Sequence, residues 1–162
     1  MNGLTASAGE ENYLSDETLA ALLVGYKNVA VVGVSNKEDR PSNGVARYLK
    51  ERTSLKIYLV NPLIDELWGE KVFPSLTDLH QELGSEIDIV DIFRKEEDIP
   101  PIMEEAISIG AKLVWMQLGI ANSSAAERGR SAGLEIVQNK CIKIEYEKFF
   151  QRGLLGRENK TF

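Results

Sequence analysis

The sequence predicts an α/β domain: a doubly wound parallel sheet of about five strands, with helices on both faces. Three observations carry that prediction. Short runs of β-branched and apolar residues, Val29 to Val34 first among them, are continuous rather than alternating, as strands buried on both faces require. Segments of helical spacing separate these runs. Glycine, proline or asparagine punctuates the junctions, at Gly33, Pro41, Asn61-Pro62, Gly110 and Gly133.

The elements follow in order. Residues 1–14 read as a loose leader. Ser15-Asp16-Glu17 supplies an N-cap and first-turn acids for a short helix with Leu19, Leu22 and Leu23 on its apolar face, ended by Gly25. The first strand is Val29 to Val34, and a polar loop leads to a helix over Asn43 to Arg52. Lys56 to Val60 is the second strand, cut off by Asn61-Pro62. An irregular stretch with Trp68, Gly69 and Phe73 precedes a helix from Ser75 to Leu83, capped by Ser75 or Thr77. Ile87 to Ile92 is the third strand. Pro100 and Pro101 suit the first turn of a helix that runs to Ile109. Leu113 to Leu118 is the fourth strand, Ser123 to Ala132 a helix, and Leu134 to Val137 the fifth strand. Cys141 to Ile144 continues or flanks that strand. Residues 15–150 form the domain and residues 151–162 a polar tail.

Composition narrows the function classes. With 162 residues, 43% hydrophobic and 27% charged, the chain suits one globular domain. A net charge of -6 and the lack of a basic run disfavour a nucleic-acid surface. No apolar stretch has the length of a membrane span. One cysteine excludes an intrachain disulfide, and the expected location is the cytoplasm. The single histidine, His80, reads as solvated, and no histidine or cysteine cluster suggests a metal. No nucleophile with an adjacent base stands out, so no catalytic residue is assigned.

In such sheets ligands bind beyond the carboxyl ends of the strands. The first loop, Gly33 to Gly44, follows a buried strand and opens a helix. Gly33 permits close backbone approach, Ser35 and Ser42 offer hydroxyls, the helix start offers free N–H groups, and Arg40 can grip phosphate. The same residues also suit an ordinary loop in which Ser42 or Asn43 caps the helix and Arg40 pairs with Asp39 or Glu38. The G-x-G-x-x-G fingerprint is absent, and Asn61 stands where NAD enzymes usually carry a ribose-binding acid. Phe93 and Trp115 suit the core as well as a ligand, Gln117 suits a helix cap, and Arg94 suits a salt bridge with Glu96 or Glu97. Cys141 reads either as a buried thiol or as a redox centre.

Several motifs, in fixed order, resemble a known family. They are Val32-Gly33-Val34-Ser35 with Arg40-Pro41-Ser42, Tyr58-Leu59-Val60-Asn61-Pro62, Glu66 to Gly69, Val90-Asp91-Ile92-Phe93-Arg94, Val114 to Ile120, and Asn139-Lys140-Cys141-Ile142. From Leu19 to Phe149 the chain resembles the small stand-alone CoA-binding proteins. These share a Rossmann-like fold with the CoA-binding domain of succinyl-CoA synthetase α subunits. The resemblance implies coenzyme A as ligand. Its diphosphate would lie over Gly33, Val34 and Ser35, with Arg40 and Ser42 closing on it. Val60, Asn61 and Pro62 would flank the adenosine. Phe93 and Arg94 would meet the arm or the adenine. Gln117, Gly119 and Ile120 would form a neutral wall for the arm. Glu145-Tyr146 departs from the Glu-His that the family often has. The implied role is a non-catalytic carrier, sensor or accessory module for CoA or acyl-CoA. The alternatives are an acyl-CoA ligase or transferase component and an NAD(P)-linked oxidoreductase or redox sensor.

Overall fold

The computed structural model describes residues 12–156. The elements are α1 (Asp16–Gly25), β1 (Asn28–Val32), α2 (Pro41–Arg52), β2 (Lys56–Val60), β3 (Glu66–Leu67), β4 (Glu70–Phe73), α3 (Leu76–Leu83), β5 (Ile89–Ile92), a 3-10 turn (Glu96–Asp98), α4 (Ile99–Ser108), β6 (Leu113–Met116), α5 (Ser123–Ser131), β7 (Glu135–Val137) and α6 (Ile142–Gln151). The sheet order is β3-β4-β2-β1-β5-β6-β7, parallel except for the β3–β4 pair. This is the doubly wound, Rossmann-like fold that the sequence predicts.

The sheet has seven strands rather than about five because Glu66 to Phe73 forms a hairpin. Its two-residue turn, Trp68-Gly69, has positive φ at both positions (56° and 76°), the geometry whose twist matches paired strands. Strands of two and four residues carry no readable periodicity, which is why this stretch reads as irregular in sequence.

Alternation along the strands divides the core into two layers. Val29, Val31, Ile89, Leu113 and Trp115 pack on one face with Leu23 of α1, Leu49 of α2 and Phe149 of α6. Ala30, Val90, Ile92, Val114 and Met116 pack on the other with Leu79 of α3, Met103 of α4 and Ala126 of α5. The segment expected to continue or flank the fifth strand, Cys141 to Ile144, instead starts α6. Ile142, Tyr146 and Phe149 fall on one helical face and are fully buried.

Most of the expected leader, residues 1–11, and residues 157–162 of the expected tail lie outside the described residues. What is described at these ends is anchored. The Asn12 amide donates to the Gln138 carbonyl (2.9 Å) and accepts from the Gln138 N–H (2.7 Å). Leu155 is buried in the α1–α6 layer. Among the described residues no helix is long and apolar enough to cross a membrane.

Polar groups lock the strand starts together. The Asp88 carboxylate accepts from the N–H groups of Lys27 (2.8 Å) and Asn28 (2.9 Å) and pairs with Lys112 (3.3 Å). It thereby joins the entries of β1, β5 and β6.

Asp91 is the opposite case. It lies mid-strand in β5, in register with Val31 and Trp115 and fully buried, and among the described residues neither carboxyl oxygen has a hydrogen-bond partner. Burial pushes its carboxyl well above the usual carboxylate range. Between the ordinary value and this raised one, the folded chain holds a proton that the unfolded chain has lost. Stability from this group therefore falls as pH rises through that window, by up to about 1.4 kcal/mol per unit. Asp91→Asn, which stays neutral, should remove that slope. Urea denaturation of both proteins at pH 5 and pH 8 measures it, and identical slopes would contradict the assignment.

Candidate functional site

The chain leaves β1 toward β2 and later returns to β5 on β1's other side. The loops after β1 and β5 therefore diverge, and a crevice opens between them, as at other switch points of doubly wound sheets. The ladder continues one residue past the strands. Gly33 N–H donates to the Val60 carbonyl (2.9 Å), Phe93 N–H to Val32 (2.8 Å) and Gln117 N–H to Ile92 (3.3 Å).

Gly33 closes the floor of this crevice. Its φ is +88°, and a Cβ there would lie 2.5 Å from the Phe93 carbonyl oxygen and 2.9 Å from Arg94 Cδ. The glycine permits backbone approach, as expected, but the group that occupies the space is the neighbouring β5 loop.

The first loop is held by its own side chains. The buried Ser42 hydroxyl accepts from Ser35 N–H (2.9 Å), the buried Asn43 amide donates to the Ser35 carbonyl (2.9 Å), and the Ser35 hydroxyl accepts from Lys37 N–H (3.0 Å). Helix α2 starts at Pro41 with Arg40 at the N-cap, and no side chain caps it. The Asn43 and Gly44 N–H groups turn back onto the Arg40 carbonyl (3.1 and 3.3 Å). Proline has no N–H, so the Ser42 N–H remains for a ligand. Among the described residues Arg40 makes no ion pair, neither with Asp39 nor with Glu38.

A cleft of about 660 Å³ sits over these loops. Gly33, Ser35, Arg40, Ser42 and Val45 line one side, Phe93, Arg94, Lys95 and Asp98 the next, and Gln117, Leu118, Ile120, Cys141 and Ile144 the rest. Eight of the sequence-predicted binding residues thus converge with Cys141. Arg94 is held by Asp98 (3.1 and 3.3 Å) rather than by Glu96 or Glu97, because the 3-10 turn brings residue i+4 beneath it.

Five predicted residues lie off the cleft lining. The side chains of Val34 and Val60 are buried in the core, which leaves only their backbone to a ligand. Pro62 is exposed. Gly119 gives its N–H to the Asn139 side chain (2.7 Å). Asn61 is also outside, and both ends of its amide are engaged. Its NH₂ donates to the Val34 carbonyl (2.8 Å) and its oxygen accepts from Leu63 N–H (2.8 Å). A carboxylate at this position could not make the first bond.

Sequence reasoning missed the cationic Lys95 and the apolar rim formed by Leu118 and Ile144, which are exposed by 63% and 53%. It also missed how the cleft's far wall is fixed. The Trp115 indole N–H donates to the Lys140 carbonyl (2.8 Å), and the Gln117 side-chain oxygen accepts from Ile142 N–H (3.1 Å). Tyr146, at the family's departure, is fully buried and outside the lining. Burial pushes its phenol up to about 12, opposed by a hydrogen bond with Ser54.

Fold and cleft together define a doubly wound, Rossmann-like domain with its cavity at the switch point. The chain belongs to the CoA binding domain family, whose sequence model matches residues 27–147. It is 33% identical to the uncharacterized protein YneT of Bacillus subtilis (strain 168), over 82% of this chain and 94% of that one. A hypothetical protein from Pyrococcus horikoshii OT3 has a similar structure: TM-score 0.80, 36% identity, 93% of this chain and 99% of that chain covered. An ADP-forming acetate–CoA ligase of Archaeoglobus fulgidus is 30% identical over 73% of this chain, which spans only 17% of the ligase.

The Gly33 contact yields a test. Gly33→Ala should destabilise the fold by about 2–4 kcal/mol, from positive-φ strain plus a backbone clash. Chemical denaturation measures this, and a loss under about 0.5 kcal/mol, the scale of an ordinary surface substitution, would show that the loops do not meet as described.

Proposed function

We propose that the protein binds coenzyme A or an acyl-CoA in the switch-point cleft, as a non-catalytic carrier, sensor or accessory module. One observation carries the reading: the Arg40 guanidinium at the open start of α2, without an ion pair among the described residues, lines a cleft that also carries the neutral Gln117, Leu118 and Ile120, in a chain of this family. CoA has the same division. Its phospho-ADP head is anionic, and its pantetheine arm is neutral with amide groups.

In this reading Arg40, Ser42 and the α2 N-terminus hold the diphosphate, with Gly33 and Ser35 beneath it. Lys95 adds charge to the same lining. Phe93, Gln117 and Ile120 receive the arm. The engaged Asn61 amide supports CoA over NAD, since no acid stands there to take the ribose hydroxyls. The ligase match favours a second reading, a component of an acyl-CoA ligase, which thioester turnover with a candidate partner would reveal.

Calorimetric titration tests the proposal. CoA should bind more tightly than NAD, and equal or better NAD affinity would overturn it. Arg40→Ala should weaken CoA binding by about 1.5–3 kcal/mol, a charged hydrogen bond's worth. The same change should shift ligand-free stability by no more than about 0.5 kcal/mol. Unchanged CoA affinity would remove Arg40 from the site.

A further inference from the structure

We propose that Cys141 is a covalent attachment point within the cleft, where it forms a mixed disulfide with the thiol of a bound CoA. This rests on the CoA reading above and adds a thiol-state function to it.

Two independent observations place the ligand's thiol end here. The first is the cysteine's position. Cys141 is partly exposed, lines the cleft and occupies the N-cap of α6 with no side-chain cap bond. Both neighbours are fixed to β6 and its exit, residue 140 through the Trp115 indole and residue 142 through the Gln117 amide oxygen. The sulfur is therefore presented from a rigid wall rather than a loose loop.

The second observation is Gln117 itself. It is only 3% exposed and lines the same cleft. Its oxygen is taken by Ile142 N–H, while its NH₂ has no acceptor among the described residues. That NH₂ opens on the cleft, where a ligand carbonyl can accept from it. The distal amide of a pantetheine arm offers such a carbonyl, and only two methylenes separate that amide from the thiol. An arm bonded to Gln117 thus brings its sulfur to the residue beside Ile142, which is Cys141. Arg40 and Ser42 of the same lining suit the anionic head, so one cleft carries groups for both parts of one CoA.

The chemistry is thiol–disulfide exchange with CoA disulfide as the oxidant. The deprotonated Cys141 sulfur attacks one sulfur of CoA disulfide. The CoA–CoA bond breaks as the Cys141–CoA bond forms. The second CoA leaves as thiolate and takes up the proton that Cys141 gave to solvent. Cys141 is oxidised and one CoA half is reduced.

The test is incubation of the wild-type protein with CoA disulfide at pH 8, read by non-reducing intact mass. The sequence holds one cysteine, so an adduct has a single address. The expected result is one CoA per chain, formed at least about tenfold faster than the adduct from glutathione disulfide, because the cleft holds the reagent in place. Excess 3′-phosphoadenosine 5′-diphosphate, which has the head without the arm, should slow the CoA adduct. Cys141→Ser should give none. Serine is a good N-cap residue, and circular dichroism verifies that the variant is folded. Separate calorimetry with reduced CoA on the wild-type protein distinguishes two failures. Reversible CoA binding without an adduct, or equal rates for both disulfides, would overturn the covalent site alone. No CoA binding and no adduct would overturn the site and the CoA reading together.

Discussion

Gly33 and the Phe93 carbonyl touch where the first strand ends, and the layout of the cleft follows from that contact. Because Gly33 has no Cβ, the β1 loop can lie directly on the start of the β5 loop. The two loops then part company, one toward α2 and the other toward α4. Side chains on their diverging banks face each other across a gap that neither loop fills. A bulkier residue at this point would pry the strands apart at their carboxyl ends, where the ladder still runs one residue past each strand.

A second layer of constraint comes from β6. Trp115 and Gln117 point to the same face of the sheet, two residues apart, and each reaches up to bond the backbone just before or within the first turn of α6. The helix is thus set against the sheet by polar bonds at its start and by Ile142, Tyr146 and Phe149 along its length. Loop and helix line one cavity, although Ser42 and Cys141 lie 99 positions apart in sequence. The first wall is held by Ser42 and Asn43, which bind the loop to the helix it precedes.

Most of the fold was legible in the sequence because buried parallel strands and capped helices leave strong local signals. Ser15, Ser75 and the Pro100-Pro101 pair each mark a helix start that the structure bears out. The losses have physical reasons. The β3–β4 hairpin is too short for periodicity and turns on Trp68-Gly69 instead of a common turn pair. Helix α6 was obscured by its lysines and glutamates, although Ile142, Tyr146 and Phe149 keep helical spacing. At the cleft, sequence position along the strand ends singled out residues on three loops that the fold brings together. It could not tell which polar groups the protein itself consumes. Asn61 and Gly119 have the right chemistry for a ligand, yet both are bonded internally. Asp91, a lone acid in an apolar run, carried no flag of its own, since only the register with Val31 and Trp115 reveals its burial.

The clasp between Asn12 and Gln138 has a consequence at the level of the sheet's margin. Strand β7 is the last in the order, and an outermost strand offers its free backbone to any passing chain. The Asn12 amide satisfies both the N–H and the C=O of the residue that follows β7, as one further strand residue would. Nearby, the Tyr13 ring lies under the Arg130 guanidinium, 4.1 Å from its centroid. The first described residues thus plug the exposed border of the sheet. Trimming the chain past Asn12 would uncover a ready template for self-association while leaving the cleft at the sheet's centre intact.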